Sequence, residues 1–269
     1  MLSDYFLTEQ HALSTHIDYD YNAWMIVLSY AVITVAAYTA FGLVERMIAA
    51  PSKGARTKWL ITGAVSMGLG IWTMHFVAML AVQMGHNMVM RYDIALTALS
   101  AVFAMFAAGF AFDFVSRKSR KPIRLLFGGV VLGAGIGLMH YTGMLAMRMD
   151  ALIRYDLMWF GASIVVAVVL ATLALRMMFF TVEAREYDKA DHRTWTAAVM
   201  GLAVSLMHYT GMAATSFLRT GEAARPVTEG LALDSLIGAV ALGGVTFVVL
   251  AMAWWSASAE ARRVADGRA

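Results

Sequence analysis

The sequence predicts an all-α fold: a seven-transmembrane helix bundle built from repeated helix pairs, with the N-terminus outside and the C-terminus cytoplasmic. Three observations carry that expectation. The 269 residues are 60% hydrophobic and only 14% charged, with a mean hydropathy of +0.66, whereas an ordinary soluble domain holds about 25% charged residues. Seven apolar stretches each supply the roughly 20 residues that cross a bilayer core as a helix. A short histidine-centred motif recurs in alternate stretches. So few polar side chains cannot coat a globule, so much of the exterior must face lipid. The same composition excludes a disordered tail, a coiled coil and a typical cytosolic enzyme. The apolar runs are also too long for barrel strands and do not alternate.

The first stretch, 23–44, follows an outside segment, 1–22, whose Asp4, Glu9, Asp18 and Asp20 lack the basic flank of a signal peptide. The others are 59–83, 94–115, 124–147, 157–180, 195–217 and 232–255. Segments 45–58, 116–124 and 176–194, with the tail 256–269, hold 16 of the 21 Lys and Arg. Arg91, Arg148, Arg154, Arg219 and Arg225 fall on the opposite side. The positive-inside rule then makes the C-terminus cytoplasmic, and an odd number of spans agrees. The membrane domain is expected over 23–255. The tail is too short to bury a core, so any enzymatic output is expected on a separate cytoplasmic protein. Trp59, Trp195, Trp254 and Trp255 are expected at the membrane interfaces. The net charge of +3 is spread in short clusters between apolar runs, which argues against nucleic-acid binding. The absence of Cys excludes disulfide scaffolds, thiolate metal sites and cysteine nucleophiles. No catalytic triad, phosphate loop or carboxylate dyad is visible, so the chain is not expected to be an enzyme.

Spans two, four and six contain Met74-His75-Phe76, Met139-His140-Tyr141-Thr142 and Met207-His208-Tyr209-Thr210, with the histidines 65 and then 68 residues apart. Gly68, Gly133 and Gly201 each lie seven residues before the histidine; Met79, Met144 and Met212 each lie four after it. Such spacings share one helix face. Small residues let membrane helices approach closely, so the three even-numbered helices are expected to pack together, surrounded by the odd-numbered ones. Tyr19-Asp20, Tyr92-Asp93 and Tyr155-Asp156 are expected to open helices one, three and five. All three histidines lie near the outer ends of helices running in one direction, so they form a layer at one depth.

An ionisable residue inside a membrane helix is a functional candidate. Imidazole binds copper, zinc and iron, and thioethers favour Cu(I). His75, His140 and His208 with Met74, Met79, Met139, Met144, Met207 and Met212 therefore point to copper before zinc. Haem held by two axial histidines is the rival cofactor, and pure packing is the bland alternative: a single buried His often completes an interhelical hydrogen bond, and Met fills irregular gaps. His192, in a charged loop, and His11, His16 and His86, outside, read as solvated surface residues. Asp113 is expected to pair with Arg117, Asp93 and Asp156 to cap helices, and the Thr210 and Thr142 hydroxyls to bond back to their own helices.

The two Met-His-Tyr-Thr tetrads and the Met-His-Phe variant resemble the MHYT family of bacterial integral membrane sensor domains, over nearly the whole chain from about Trp24 to Trp255. The resemblance implies a multi-pass protein of the bacterial inner membrane that senses a diatomic gas (oxygen, carbon monoxide or nitric oxide) or a redox cue through a metal near the outer face. The residues matching its motif are Met74 and His75, Met139 and His140, and Met207 and His208. Phe76-Val77 departs from the Tyr-Thr of the other copies, which leaves any hydroxyl role there in doubt. A metal-handling or transport protein and a haem-dependent membrane oxidoreductase are the alternatives. The oligomeric state is open.

Overall fold

The computed structural model describes residues 5–7, 16–84, 90–117, 121–184, 191–219 and 232–234, and ten helical residues between 243 and 258. Among the described residues six continuous helices follow in order: α1 (Ala23–Ala49), α2 (Lys53–Leu80), α3 (Ile94–Ser116), α4 (Pro122–Leu145), α5 (Leu157–Ala184) and α6 (Asp191–Ala213). Their starts have local causes. Asn22 accepts from the backbone N–H groups of Trp24 and Met25, Ser52 from Ala55, Asp93 from Leu96 and Asp156 from Trp159, each satisfying donors that a helix N-terminus leaves orphaned. Pro122 opens α4 at its first turn, where its missing N–H costs nothing.

Among the described residues, α1 to α5 are long and apolar enough to cross a membrane. The 23-residue α6 falls short of that measure because His208, Tyr209 and Thr210 dilute one end and Asp191, His192 and Arg193 the other. Half of the seventh predicted stretch, residues 235–242, 245, 249, 252 and 253, lies outside the described residues.

Each helix packs on its neighbours in sequence, and α6 returns to pack on α1, so the six close into a ring. The closing seam is specific: Tyr30 donates to the Ala198 carbonyl at 3.2 Å, Arg193 donates to the Tyr38 carbonyl at 2.9 Å, and its guanidinium lies 4.0 Å over the Tyr38 ring. The expected mutual packing of even-numbered helices is corrected here. α2 reaches α4 and α6 across the ring only over a short stretch. The glycines face odd-numbered helices: a Cβ on Gly68 would lie 2.5 Å from Met105 of α3, one on Gly133 3.0 Å from Ala167 of α5, and one on Gly201 would overlap Thr34 of α1. After α6, the third copy finds α1 as its partner.

Among the described residues seven short strands cap the histidine end: β1 (Tyr19–Tyr21), β2 (Val82–Met84), β3 (Arg91–Asp93), β4 (Met147–Arg148), β5 (Leu152–Tyr155), β6 (Thr215–Leu218) and β7 (Ala232–Asp234). They pair antiparallel as β1–β2, β3–β4, β3–β7 and β5–β6. The pairing fixes the true repeat register. Tyr21 faces Val82, Tyr92 faces Met147 and Tyr155 faces Thr215, and the next residue in each case, Asn22, Asp93 or Asp156, donates its N–H to Ala81, Ala146 or Ala214 at 2.8–2.9 Å. The partner of Tyr92-Asp93 and Tyr155-Asp156 is therefore Tyr21-Asn22; Tyr19-Asp20 does not open α1, and Asp20 is an exposed residue of β1.

One more expectation is corrected. Spans two, four and six were drawn to residues 83, 147 and 217, but the helices end at Leu80, Leu145 and Ala213, and the apolar residues beyond them are strand. Short apolar runs carry no period that separates strand from helix. Trp59 is buried, with the Lys58 ammonium 5.0 Å over its ring, whereas Trp195, Trp254 and Trp255 are exposed.

Candidate metal centre

His75, His140 and His208 each stand five residues before the end of their helix, in α2, α4 and α6. Equal registers on three helices bring the imidazoles to one level. All three are buried, with ring centroids 5.0–5.2 Å apart. The Nδ1 atoms turn inward: His75 Nδ1 is 3.1 Å from His208 Nδ1 and 3.3 Å from His140 Nδ1.

Hydrogen bonding alone cannot satisfy this arrangement. A neutral imidazole has one donor and one acceptor nitrogen, and His75 Nδ1 cannot be both toward its two neighbours. The three Nε2 atoms are buried and have no hydrogen-bond partner; they carry the N–H when the inward Nδ1 atoms present their lone pairs. A single ion takes up all three inward lone pairs at once. Metal–imidazole bonds of about 2.0–2.1 Å require nitrogen separations of about 3.3–3.6 Å, close to those observed. Among the described residues no carboxylate joins the cluster.

The packing around each ring follows the cyclic order of the helices. A Cβ on Gly143 would lie 2.5 Å from His75 Nε2, and one on Gly211 2.5 Å from His140 Nε2. The matching position in α2 is Ala78, which is fully buried. These small residues three positions after each histidine were legible in the sequence but passed over. The aromatic after each histidine packs edge-on against the tyrosine that precedes the next odd helix: Phe76 on Tyr92, Tyr141 on Tyr155, and Tyr209 on Tyr21, at 5.0, 5.3 and 5.6 Å.

A serine seven residues after each cap was also missed. Ser29, Ser100 and Ser163 each donate to the carbonyl three residues earlier at 2.7 Å. Tyr141 therefore donates to Ser163 Oγ, at 2.6 Å. Phe76 has no hydroxyl, and Trp72 supplies the donor instead, its indole N–H reaching Ser100 Oγ at 2.9 Å. The departure at Phe76 is thus compensated one helical turn away.

Met74, Met139 and Met207 border a small cavity that His140 and His208 also line. Met79, Met144 and Met212 are fully buried one turn beyond the histidines; Met144 lines a second cavity of about 100 Å³ with Met147 and Met149. Thr210 bonds back to Leu206, and Asp113 pairs with Arg117 and also with Arg56 of α2. Asp93 pairs with Arg148 at 2.7 Å. His16 is exposed, beside Leu218; His192 stands in the first turn of α6 and not in a loop, while His11 and His86 lie outside the described residues.

Membrane-length helices in a ring, a threefold packing repeat and a buried three-imidazole centre define a multi-pass membrane protein with a candidate single-ion site. The chain belongs to the MHYT family: the model of this bacterial signalling protein N-terminal repeat matches residues 68–128 and 133–186. The chain is 38% identical over 233 residues to the bifunctional diguanylate cyclase/cyclic di-GMP phosphodiesterase MucR of Pseudomonas aeruginosa, covering 85% of this chain and 33% of that protein. It is 37% identical over 200 residues to the signaling protein YkoW of Bacillus subtilis, covering 73% and 24%, and 31% identical over 243 residues to the cyclic di-GMP phosphodiesterase NbdA of P. aeruginosa, covering 90% and 30%. The chain thus spans a quarter to a third of the curated relatives it matches. No solved structure is significantly similar to it.

Proposed function

We propose that this membrane signalling region is a sensor in which His75, His140 and His208 hold one copper ion through their Nδ1 atoms, and that a diatomic gas or a redox change at that ion is the signal. The carrying observation is the convergence of three buried imidazoles from three repeated helices, with His75 Nδ1 3.1 Å from His208 Nδ1 and 3.3 Å from His140 Nδ1. Bound copper supplies a one-electron couple and a coordination position for a small ligand. The neighbouring thioethers of Met74, Met139 and Met207 favour Cu(I) over zinc. Haem fits less well, because nitrogens this close leave no space for a porphyrin between them. The sensing region is not itself an enzyme. Its output passes to a partner of the kind the relatives' names indicate, a cyclic di-GMP synthesising or degrading activity, on the same or a separate polypeptide. The membrane is the bacterial inner membrane, with the histidine layer toward its outer face.

The test is copper per protein in detergent for the wild type, His140→Ala and His192→Ala. Loss of an imidazole should abolish stoichiometric copper in His140→Ala, while His192→Ala keeps it. Insertion is preserved, because His140→Ala makes α4 more apolar. Equal copper in all three, or none in the wild type after loading, overturns the metal reading.

A further inference from the structure

Beside the triad, between α4, α5 and α6, lies a cavity of about 20 Å³, room for about one water-sized molecule. The imidazoles of His140 and His208 line it, as do Gly137 of α4 and Ile164 of α5 on its lipid-facing helices. Ile164 and the adjacent Leu138 are 39% and 53% exposed, on helices of membrane-spanning length, so this side opens toward lipid.

Comparison of the repeats explains why the space exists. Three residues before His75 stands Trp72, whose indole packs toward α3 and donates to Ser100. Three residues before His140 stands Gly137, and a Cβ there would meet only Ile164 Cδ1, at 3.9 Å. Because Tyr141 already serves Ser163, the second repeat needs no indole, and the volume an indole would fill stays open.

The lining decides what fits. Ser163 spends its proton on the Phe160 carbonyl and Tyr141 spends its own on Ser163. Apart from the two imidazoles and the mutually bonded Tyr141 and Ser163, the walls are apolar side chains such as Ile136, Ala167 and Val204. No charged side chain lines the space, so an ion or a strongly polar molecule would be desolvated without compensation. We infer that this cavity admits a neutral diatomic of the dioxygen, nitric oxide or carbon monoxide class, which reaches the triad sideways from the bilayer between α4 and α5, with Gly137 keeping the passage open. This rests on the sensor reading above, and the experiment separates the two.

The test uses dissolved oxygen, a paramagnetic probe, on the metal-free full chain in lipid nanodiscs with ¹³C-methyl methionine. Under oxygen pressure the methyl signals of Met139 and Met207 should broaden several-fold more than that of Met47, which is 1% exposed at the far end of α1. Gly137→Leu and Gly137→Trp should remove that excess. If Met139 and Met207 in the wild type broaden no more than Met47, the cavity inference is overturned; so it is if the excess survives in Gly137 variants that retain their helical circular dichroism. Should those variants fail to fold, the wild-type comparison decides alone. Copper is measured on a parallel sample. Broadening without copper sinks the metal reading and leaves the cavity standing, and copper without broadening does the reverse.

Discussion

A single hydrogen atom at Gly143 decides whether His75 can reach the centre of the triad. The imidazole is rigid and is held at Nδ1 by its neighbours, so a methyl group 2.5 Å from Nε2 cannot be absorbed by a rotamer change; the ring or the helix must shift. Gly143→Ala is expected to weaken copper binding at least tenfold with helix content unchanged, as measured by metal competition and circular dichroism. Gly161→Ala is the control, since nothing lies within 4 Å of its added Cβ. Wild-type affinity in Gly143→Ala would show that the glycine does not position the ring. Trp72→Phe probes the other compensation. Losing the indole N–H that reaches Ser100 Oγ, and that shares the Thr97 carbonyl with the Ser100 hydroxyl, is expected to cost about 1–2 kcal/mol, read as a lower thermal midpoint in detergent. The histidines were legible from the sequence because they recur with fixed neighbours. The small residues that seat them recur too, at Ala78, Gly143 and Gly211, but an Ala/Gly position in a glycine-rich membrane helix carries little contrast, and its role emerges only when the facing imidazole is placed.

Helix starts and helix ends were unequally legible for a physical reason. Caps announce starts: Asp93 and Asp156 were read correctly because a carboxylate before an apolar run has few other uses. The ends of α2, α4 and α6 have no such signal, and the strands that follow are apolar because they roof the core. Asp93 joins both features. It caps α3, and the hydrogen bond from Arg148, together with the Leu96 amide, holds its carboxyl below the usual 3.8. A depressed folded value means that its contribution is present above the unfolded value and is lost as pH falls through the folded one. The wild type should therefore lose stability below about pH 4 through this group, and Asp93→Asn should show less of that loss. Its pairing is partly solvated, so the cost of Asp93→Asn at neutral pH is expected to be only about 1 kcal/mol, mostly the cap. Thermal unfolding between pH 3 and 7 checks the sign; a parallel fall of both proteins would remove Asp93 from the acid response.

At the scale of the molecule, the repeat made the threefold character legible, but not how the ring closes. Sequence order offers the last span as the partner of α6, by analogy with α2 on α3 and α4 on α5. Tertiary packing chose α1, through Gly201 on Thr34, Tyr209 on Tyr21 and Tyr30 on Ala198. The helical residues described from 243 on carry no histidine motif and meet α2 at the buried Thr73–Thr246 hydroxyl pair, in a segment outside the three repeats. Its direction across the bilayer therefore cannot follow from ring symmetry and must follow from charge. The 16 basic residues at one set of connections predict that residues 118–120 and 256–269 are cytoplasmic and residues 85–89 are outside. Paired reporters, one active only in the cytoplasm and one only beyond the membrane, fused at residues 88, 119 and 269 test this. The expected pattern is outside, cytoplasmic, cytoplasmic. An outside reporter active at 269 with the other two as expected would remove the last crossing, while reversal of all three would put the histidine layer at the inner face and oblige any ligand from outside to cross the bilayer first.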